Sequence, residues 1–212
     1  YCKMNPERFE ETYVKNVYSE IADHFDKTRY HTWPKIKDFV MSLKKNTLIY
    51  DIGCGNGRNM KIRDDCVFIG CDNNEELLTQ AKNKDLNCFY GDNLALPFAD
   101  DCAESVLSIA VIHHFSTYER RLTALSELFR ILKKGGLILI YVWAYEQNKF
   151  KDSEKDTMLE WNNQTNGKVL KRYYYLFSKG ELDNLININF NNIRIIESGI
   201  QCSNYYLICK KV

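Results

Sequence analysis

The sequence predicts an α/β fold in which helices cover both faces of a mostly parallel, seven-stranded sheet. Short apolar segments alternate with amphipathic helical segments from residue 47 to residue 144. These segments are almost continuously apolar, as is typical of strands buried on both faces of a parallel sheet. Two further apolar segments near the C-terminus are close enough in sequence to pair as an antiparallel hairpin. Together these features indicate a doubly wound sheet that is closed by an antiparallel hairpin.

Helices are predicted within residues 1–45, before the sheet. In residues 6–25, apolar and aromatic side chains recur at every fourth position and mark one face of a helix. A second helix should cover 34–43, because the proline at its start is favourable in a first helical turn. The polar and aromatic segment "DKTRYHTW" links the two helices.

The remaining elements follow in order. The predicted strands are 47–52, 66–72, 86–92, 103–112, 135–144, 191–198 and 203–211. The helices between them are 74–84, 117–132 and 178–189. Residues 145–171 are polar and have no clear period, so we interpret them as an inserted loop on the substrate side. With 212 residues and 45% hydrophobic content, the chain is expected to form one domain over 1–212.

Composition excludes several classes of protein. The apolar segment 135–144 is half the length of a membrane span, and no secretory leader opens the sequence. We therefore expect no membrane association and a cytoplasmic protein, with the nucleus as a second location. The eight cysteines contain no C-x-x-C and mostly lie in apolar segments, which favours reduced core thiols over disulfides or a metal site. A net charge of +1 is low for a chain that binds nucleic acid without the help of a partner protein.

A glycine-rich turn and three acids suggest the ligand. In "DIGCGNG", Gly53, Gly55 and Gly57 allow a sharp turn after the first strand and a close approach by a ligand. The pattern lacks the last glycine of G-x-G-x-x-G, which disfavours the rival interpretation, a dinucleotide-dependent oxidoreductase. Asp51 precedes the turn, where an acid would repel a diphosphate but attract an ammonium group.

Two later strands also end in acids. Asp72 is placed to accept both hydroxyls of a ribose, and Asp92 to accept the adenine amino group, with Leu94 as an apolar wall. A nucleoside with an amino-acid tail fits this series, and that ligand is S-adenosylmethionine. The predicted cofactor-binding residues are Asp51, Gly53, Gly55, Gly57, Asp72, Asn73, Asp92, Asn93, Leu94 and Ala110. Asn73 and the next asparagine are also candidates for a helix cap.

Longer motifs carry a specific resemblance. The segments "IADHFDKTRY", "VIHHFST" and "RYYYLF", together with the glycine turn, resemble eukaryotic tRNA methyltransferases that esterify 5-carboxymethyluridine at the wobble position. They are also similar to the methyltransferase domain of AlkB-homologue tRNA enzymes. The resemblance covers nearly the whole chain and implies a Rossmann-like class I fold. It implies S-adenosylmethionine as cofactor and a tRNA anticodon loop as partner.

The implied reaction needs little acid–base chemistry. A carboxymethyl group has a pKa near that of a side-chain carboxyl, about 4, so it is already ionised at neutral pH. The enzyme must then hold and orient an anion, which favours an arginine and neutral donors. On the resemblance at "DKTRY" we expect Arg29 and Tyr30 to provide this contact, and His114, after the fourth strand, to face the substrate.

Three questions remain open from sequence. Arg172 and the tyrosines at 173–175 are interpreted equally well as a surface that stacks on a flipped base or as ordinary strand packing, and Trp143 lies nearby. Strand 86–90 lacks the lysines and prolines that protect a sheet edge, and the resemblance implies that a small zinc-binding activator protein pairs with it. The alternative functions are a small-molecule carboxyl or O-methyltransferase and a non-catalytic cofactor-binding subunit.

Overall fold

The computed structural model describes residues 4–28, 31–147, 150, 153–162 and 167–212. Its strands are β1 (Leu48–Ile52), β2 (Val67–Asp72), β3 (Cys88–Tyr90), β4 (Ala103–Ile109), β5 (Leu132–Trp143), β6 (Asp156–Asn162), β7 (Val169–Tyr175), β8 (Ile193–Gln201) and β9 (Asn204–Lys211). Its helices are α1 (Pro6–Glu10), α2 (Asn16–Thr28), α3 (Pro34–Ser42), α4 (Glu75–Lys82), α5 (Tyr118–Ile131) and α6 (Glu181–Asn189). A 3₁₀ turn (Ile112–His114) follows β4.

The main sheet has the order β3-β2-β1-β4-β5-β9-β8. Strands β1 to β5 pair in parallel, whereas β9 pairs antiparallel with both β5 and β8. The predicted seven-stranded sheet with its antiparallel hairpin and N-terminal helices is therefore confirmed. The order reverses at β1 and β4, so the carboxyl ends of these strands border a crevice, as in other doubly wound sheets.

Apolar side chains cover both faces of the sheet. On one face, Leu125 and Leu128 of α5 pack in one cluster with Val106 and Ile138. On the other face, helices α3 and α4 pack in a second cluster centred on the strands β1, β4 and β5. Burial on both sides explains why these strands are apolar at nearly every position.

The N-terminal helical segment differs from the prediction in one respect. A π-helical turn (Glu11–Lys15) separates α1 from α2. Apolar residues spaced by four drift around a regular α-helix, because four residues exceed one turn of 3.6 residues. The wider π-helical turn opposes this drift and keeps the residues at 9, 13 and 17 toward one side.

The interpretation of 145–171 as an inserted loop is wrong for much of that segment. Residues 156–162 form β6, which pairs antiparallel with β7 from Asp156 opposite Tyr175 to Asn162 opposite Val169. This two-stranded sheet is separate from the main sheet. The side chains of β6 are exposed or half-buried on both faces, so the sequence shows no clear alternation there.

Seven of the cysteines lie in the described residues, and no disulfide joins them. Four of these are buried, namely Cys54, Cys71, Cys88 and Cys209, whereas Cys202 is exposed at the turn between β8 and β9. No helix in the described parts of the chain is both long and apolar enough to cross a membrane.

Candidate active site

A cavity of about 410 Å³ lies at the carboxyl ends of β1, β2 and β4. The N-terminal helices cover it, with Tyr18 of α2 in its lining. Eight of the predicted site residues line this cavity: Gly53, Gly55, Asp72, Asn73, Asp92, Asn93, Ala110 and His114. Asp51, Gly57 and Leu94 do not belong to the lining. Arg29 and Tyr30 lie outside the described residues, so their role as a substrate contact stays a prediction.

The glycines of the turn have different tasks. All three have left-handed backbone angles, with φ of 76° at Gly53, 54° at Gly55 and 73° at Gly57. A β-carbon at Gly53 or Gly57 would lie 2.2 Å from a side-chain atom of Val111 or Leu86, so these two glycines allow close packing. A β-carbon at Gly55 would meet no atom closer than 3.8 Å. The space beside Gly55 is therefore available to a ligand.

Asp72 organises the turn from the end of β2. Its Oδ2 accepts the backbone N–H of Gly55 at 2.8 Å, and its Oδ1 accepts the N–H of Asn74 at 2.9 Å. Burial raises the pKa of Asp72, and these N–H donors oppose that rise. Each carboxylate oxygen keeps a lone pair for a ribose hydroxyl. Both predicted cap residues line the cavity, and Asn74 is the one that caps α4, by accepting the N–H of Leu77.

Asp51 is fully buried rather than exposed to the cavity. Neither of its carboxylate oxygens accepts a hydrogen bond of normal geometry from a described residue. Burial raises its pKa to about 7, an effect that nearby Asp72 reinforces and that Arg58 and Asn59 oppose. Because Asp51 does not line the cavity, its contact with an ammonium group of the ligand stays a prediction.

The residues after β3 provide a polar wall. Asp92 is exposed, and its Oδ1 accepts the N–H of Leu94 at 2.9 Å. Asn93 is buried and lines the cavity, yet its side-chain amide has no hydrogen-bond partner among the described residues. An amide provides both a donor and an acceptor, which match the edge of an adenine ring. Leu94 instead packs against the core, so an apolar wall at this position would have to come from another residue.

These features fit S-adenosylmethionine. The open side of Gly55, the two acids at strand ends and the unpaired amide of Asn93 offer partners for its amino-acid and nucleoside parts. Ala110, at the end of β4, adds a left-handed backbone angle, with φ of 64°, at the cavity wall. S-adenosylmethionine would supply a methyl group bonded to a positively charged sulfur.

His113 and His114, the two histidines that line the cavity, are both held in the neutral form. His114 lies 2.9 Å from the carbonyl oxygen of Tyr173 through Nδ1 and 3.0 Å from the hydroxyl of Tyr18 through Nε2. Since a carbonyl only accepts, Nδ1 carries the proton and Nε2 accepts from the tyrosine. The pKa of His114 is lowered to about 3, chiefly by burial, with a contribution from the charge of Arg172 and against the opposing effect of the hydrogen bond to Tyr173.

His113 has the opposite tautomer. Its Nδ1 accepts the backbone N–H of Trp143 at 3.1 Å, so its proton is on Nε2, which has no partner among the described residues. Burial lowers the pKa of His113 well below its usual value. The residue is fully buried and lines the cavity, where it presents a neutral donor.

Residues 172–175 alternate between the cavity wall and the opposite side of strand β7. Tyr173 and Tyr175 face the core side of the hairpin, where their hydroxyls donate to Asp156 and Glu181. Arg172 and Tyr174 face the cavity. Alternate positions of this strand thus line the cavity, although Tyr174 also packs in a buried cluster with Phe150 and Leu176. Stacking of a flipped base on Arg172 or Tyr174 stays a prediction.

Several contacts hold the N-terminal helices over the cavity. Buried Glu10 accepts hydrogen bonds from Arg120 through both oxygens, and from the backbone and hydroxyl of Ser116. At the other end of the π-helical turn, Lys15 donates to the hydroxyl of Tyr90 at 3.1 Å. Sequence reasoning missed Tyr18 and Glu10, although a glutamate beside the apolar face of a helix was an available signal.

The fold and the cavity define a class I S-adenosylmethionine-dependent methyltransferase. Residues 50–140 match a family described as a methyltransferase domain. The chain is 35% identical to the tRNA (carboxymethyluridine(34)-5-O)-methyltransferase of Schizosaccharomyces pombe, with 96% of this chain and 98% of that protein covered. The chain belongs to the family of tRNA carboxymethyluridine methyltransferases, which confirms the resemblance predicted from its motifs.

Other relatives are longer. The chain is 45% identical to tRNA (carboxymethyluridine(34)-5-O)-methyltransferase alkbh8 of Xenopus tropicalis over 72% of its own length but only 24% of that protein. It thus spans about a quarter of that relative. Among solved structures, a Haloferax volcanii methyltransferase in complex with the Trm112 methyltransferase activator has a TM-score of 0.69 at 16% identity, covering 92% of this chain and 95% of that one. This likeness shows the fold.

Proposed function

We propose that the chain methylates the carboxylate of 5-carboxymethyluridine at the wobble position of tRNA to give 5-methoxycarbonylmethyluridine. The observation that supports this reaction best is the state of the two cavity histidines. Both are neutral, and burial lowers the pKa of each, so both are weak bases. A cavity without an available histidine base suits an acceptor that is already ionised, as a carboxylate is at neutral pH.

The residues then act by positioning. In the transfer, a carboxylate oxygen bonds to the methyl carbon while the carbon–sulfur bond breaks and its electron pair stays on sulfur, so no proton moves. Tyr18 and Tyr173 fix the ring of His114 from both sides. His113 offers its Nε2–H as a neutral donor. The N-terminal helices exclude water, which strengthens electrostatic contacts within the cavity.

The test uses two synthetic anticodon stem-loops that differ only in whether the wobble uridine carries a carboxymethyl group. With methyl-labelled S-adenosylmethionine, we expect label only on the carboxymethyl RNA, and mild alkali should release it as methanol because the product is an ester. Label on free small acids but not on RNA would favour a small-molecule methyltransferase. Cofactor binding by calorimetry without any transfer would favour a non-catalytic subunit.

A protein partner forms part of this proposal. Strand β3 pairs only with β2 in the described structure, and it leaves Phe89 47% and Tyr90 52% exposed. We infer that a small zinc-binding activator adds a strand along residues 86–90. The Haloferax methyltransferase that shares this fold was solved in complex with the Trm112 methyltransferase activator. Because Tyr90 also binds Lys15, a partner here would touch the helices that cover the cavity.

Deuterium exchange tests the partner. With the activator present, amides at 86–90 should exchange more slowly, while the other sheet edge, β8, should be unchanged and serves as the internal control. The activator should also raise turnover and tRNA binding, because a chain with a net charge of +1 has little attraction of its own for a polyanion. Full activity alone and unchanged exchange would contradict the proposed partner. We further propose a cytoplasmic location, which imaging of the tagged protein would test.

A further inference from the structure

Arg172 is buried, and none of the described residues provides a counterion. It is only 6% exposed, and in the described structure no carboxylate forms an ion pair with it and its Nε has no hydrogen-bond partner. Its guanidinium instead lies over three aromatic rings, at 4.5 Å from the ring centroid of Trp161, 5.2 Å from Tyr18 and 5.4 Å from Tyr174. Such contacts offset part of the cost of burying a cation but leave its Nε–H unsatisfied among the described residues.

Four other arginines of the described residues each have a hydrogen-bond or ion-pair partner. Arg121 is equally buried beside an aromatic ring, 3.6 Å from the centroid of Tyr175, but it donates to the carbonyl of Phe115 and does not line the cavity. Three more arginines each have a carboxylate partner: Arg63, Arg120 and Arg130. Arg120 also lines the cavity, but Glu10 pairs with it, whereas Arg172 has a buried donor without a partner in the described structure. An anionic ligand would complete its surroundings.

A second donor lies in the same wall. His113 contacts the ring of Tyr174 at 5.2 Å between centroids, and its Nε2–H is also unpartnered in the described structure. Arg172 lies against the same tyrosine ring. A planar anion with two oxygens matches a guanidinium and a neutral N–H better than a single-point charge does.

We propose that Arg172, with the aromatic rings around it and His113, forms the subsite that binds the substrate carboxylate and rejects the corresponding carboxamide. This inference rests on the proposed function and names the residue that gives the site its selectivity. A carboxamide offers one acceptor instead of two and turns an NH₂ group toward N–H donors. The selectivity follows because a site built from donors loses hydrogen bonds with the amide.

The experiment measures binding without turnover. With S-adenosylhomocysteine present, stem-loops carrying a carboxymethyl or a carbamoylmethyl group at the wobble uridine are titrated by fluorescence anisotropy. The native protein should prefer the acid by about 10- to 100-fold, the range expected for hydrogen bonds to a charged group. Arg172→Gln should abolish the preference by weakening acid binding alone, and Arg172→Lys should restore it only in part because lysine lacks the planar fork.

Matched controls separate binding from folding. Arg121→Gln removes a buried arginine beside a tyrosine outside the cavity, so it should lower stability but keep the preference for the acid. Affinity for S-adenosylhomocysteine should be unchanged in Arg172→Gln. An Arg172→Gln protein that binds the cofactor product normally and still prefers the acid as strongly as the native protein would overturn the proposal.

A small probe keeps this proposal distinct from the proposed function. Trp161 and Trp143 lie in or beside this wall, so 5-carboxymethyluracil should change tryptophan fluorescence in the native protein but not in Arg172→Gln. The carboxamide analogue should cause no change at the same concentration. An Arg172-dependent response without transfer to tRNA would support the subsite and refute the proposed function. Transfer to carboxymethyl RNA with acid preference intact in Arg172→Gln would do the reverse.

Discussion

Binding of S-adenosylmethionine should release a proton from Asp51. This carboxyl group is fully buried with a pKa raised to about 7 by burial, so near neutral pH a large fraction of it is protonated in the free protein. The ammonium group of the ligand would stabilise the ionised form if it lies within a few ångströms. An opposite charge at that distance lowers a carboxyl pKa by about 1–3.

The size of the effect follows from this shift. If the ligand lowers the pKa from about 7 to about 5, the protein should release about 0.8 protons per ligand at pH 6, about 0.5 at pH 7 and about 0.1 at pH 8. The sign also fixes the trend in affinity. Because the bound state holds fewer protons, the affinity should increase as the pH rises from 6 to 8 and then level off.

Calorimetry in buffers of different ionisation enthalpy measures the released protons directly. S-adenosylhomocysteine shares the ammonium group but lacks the positive sulfur, so it should release the same number, whereas adenosine should release none. In Asp51→Asn the release should disappear, because the amide does not titrate. Binding heats that do not depend on the buffer at pH 6–7, or equal proton release by Asp51→Asn, would refute the contact.

Asp72→Ala should weaken cofactor binding by about 1–3 kcal/mol, because it removes the acceptor predicted for the ribose and the group that holds the Gly55 backbone; unchanged affinity in calorimetry would remove Asp72 from the site. Gly53→Ala should lower the melting temperature more than Gly55→Ala, because a β-carbon at 53 would overlap a valine at 2.2 Å, while Gly55→Ala should mainly weaken cofactor binding. The rate of methyl transfer at saturation should be constant between pH 6 and 8, and a steep rise would identify His113 or His114 as a base. As the pH drops below about 6.5, each histidine should lower the free energy of unfolding by at most about 1.4 kcal/mol per pH unit, because the unfolded chain binds protons there that the native state excludes. The raised pKa values of Asp51 and Asp72 oppose this fall, so the net slope should be smaller than the two histidines alone would give. Urea titrations at several pH values would measure this slope, and a flat dependence down to pH 5 would contradict it.

The sequence was sufficient for the sheet and the cofactor side of the site. The glycine turn and Asp72 each follow a strongly apolar strand. Because the carboxyl ends of parallel strands meet at one edge of the sheet, the order of elements predicts that the turn and Asp72 lie close together. The role of Arg172 could not be decided in this way. Adjacent residues of a strand face opposite sides, and only the packing of β7 against α2 shows which side forms the cavity wall.

Other features depend on distant contacts. Strand β6 has no clear period because both of its faces are partly exposed. Glu10 and Arg120 are 110 positions apart, and nothing in either local segment predicts that they pair. Leu94 shows the limit of reasoning from strand ends, because it follows β3 as predicted but turns into the core instead of the cavity. A position at the correct edge does not fix the direction of a side chain.

Asp72 and Arg172 place opposite charges in different parts of the cavity wall, and this suits the proposed reaction. Asp72 and Asp92 line one part of the cavity, while Arg172 lies in the wall formed with the neutral histidines. The reaction joins a cationic donor to an anionic acceptor, so both charges disappear in the transition to products. Exclusion of water favours such a reaction, because hydration stabilises the separated charges more than the neutral products. The ester product carries no anion for Arg172. If Arg172 binds the substrate carboxylate as proposed, the ester should therefore bind more weakly than the acid and should be released in exchange for a new substrate.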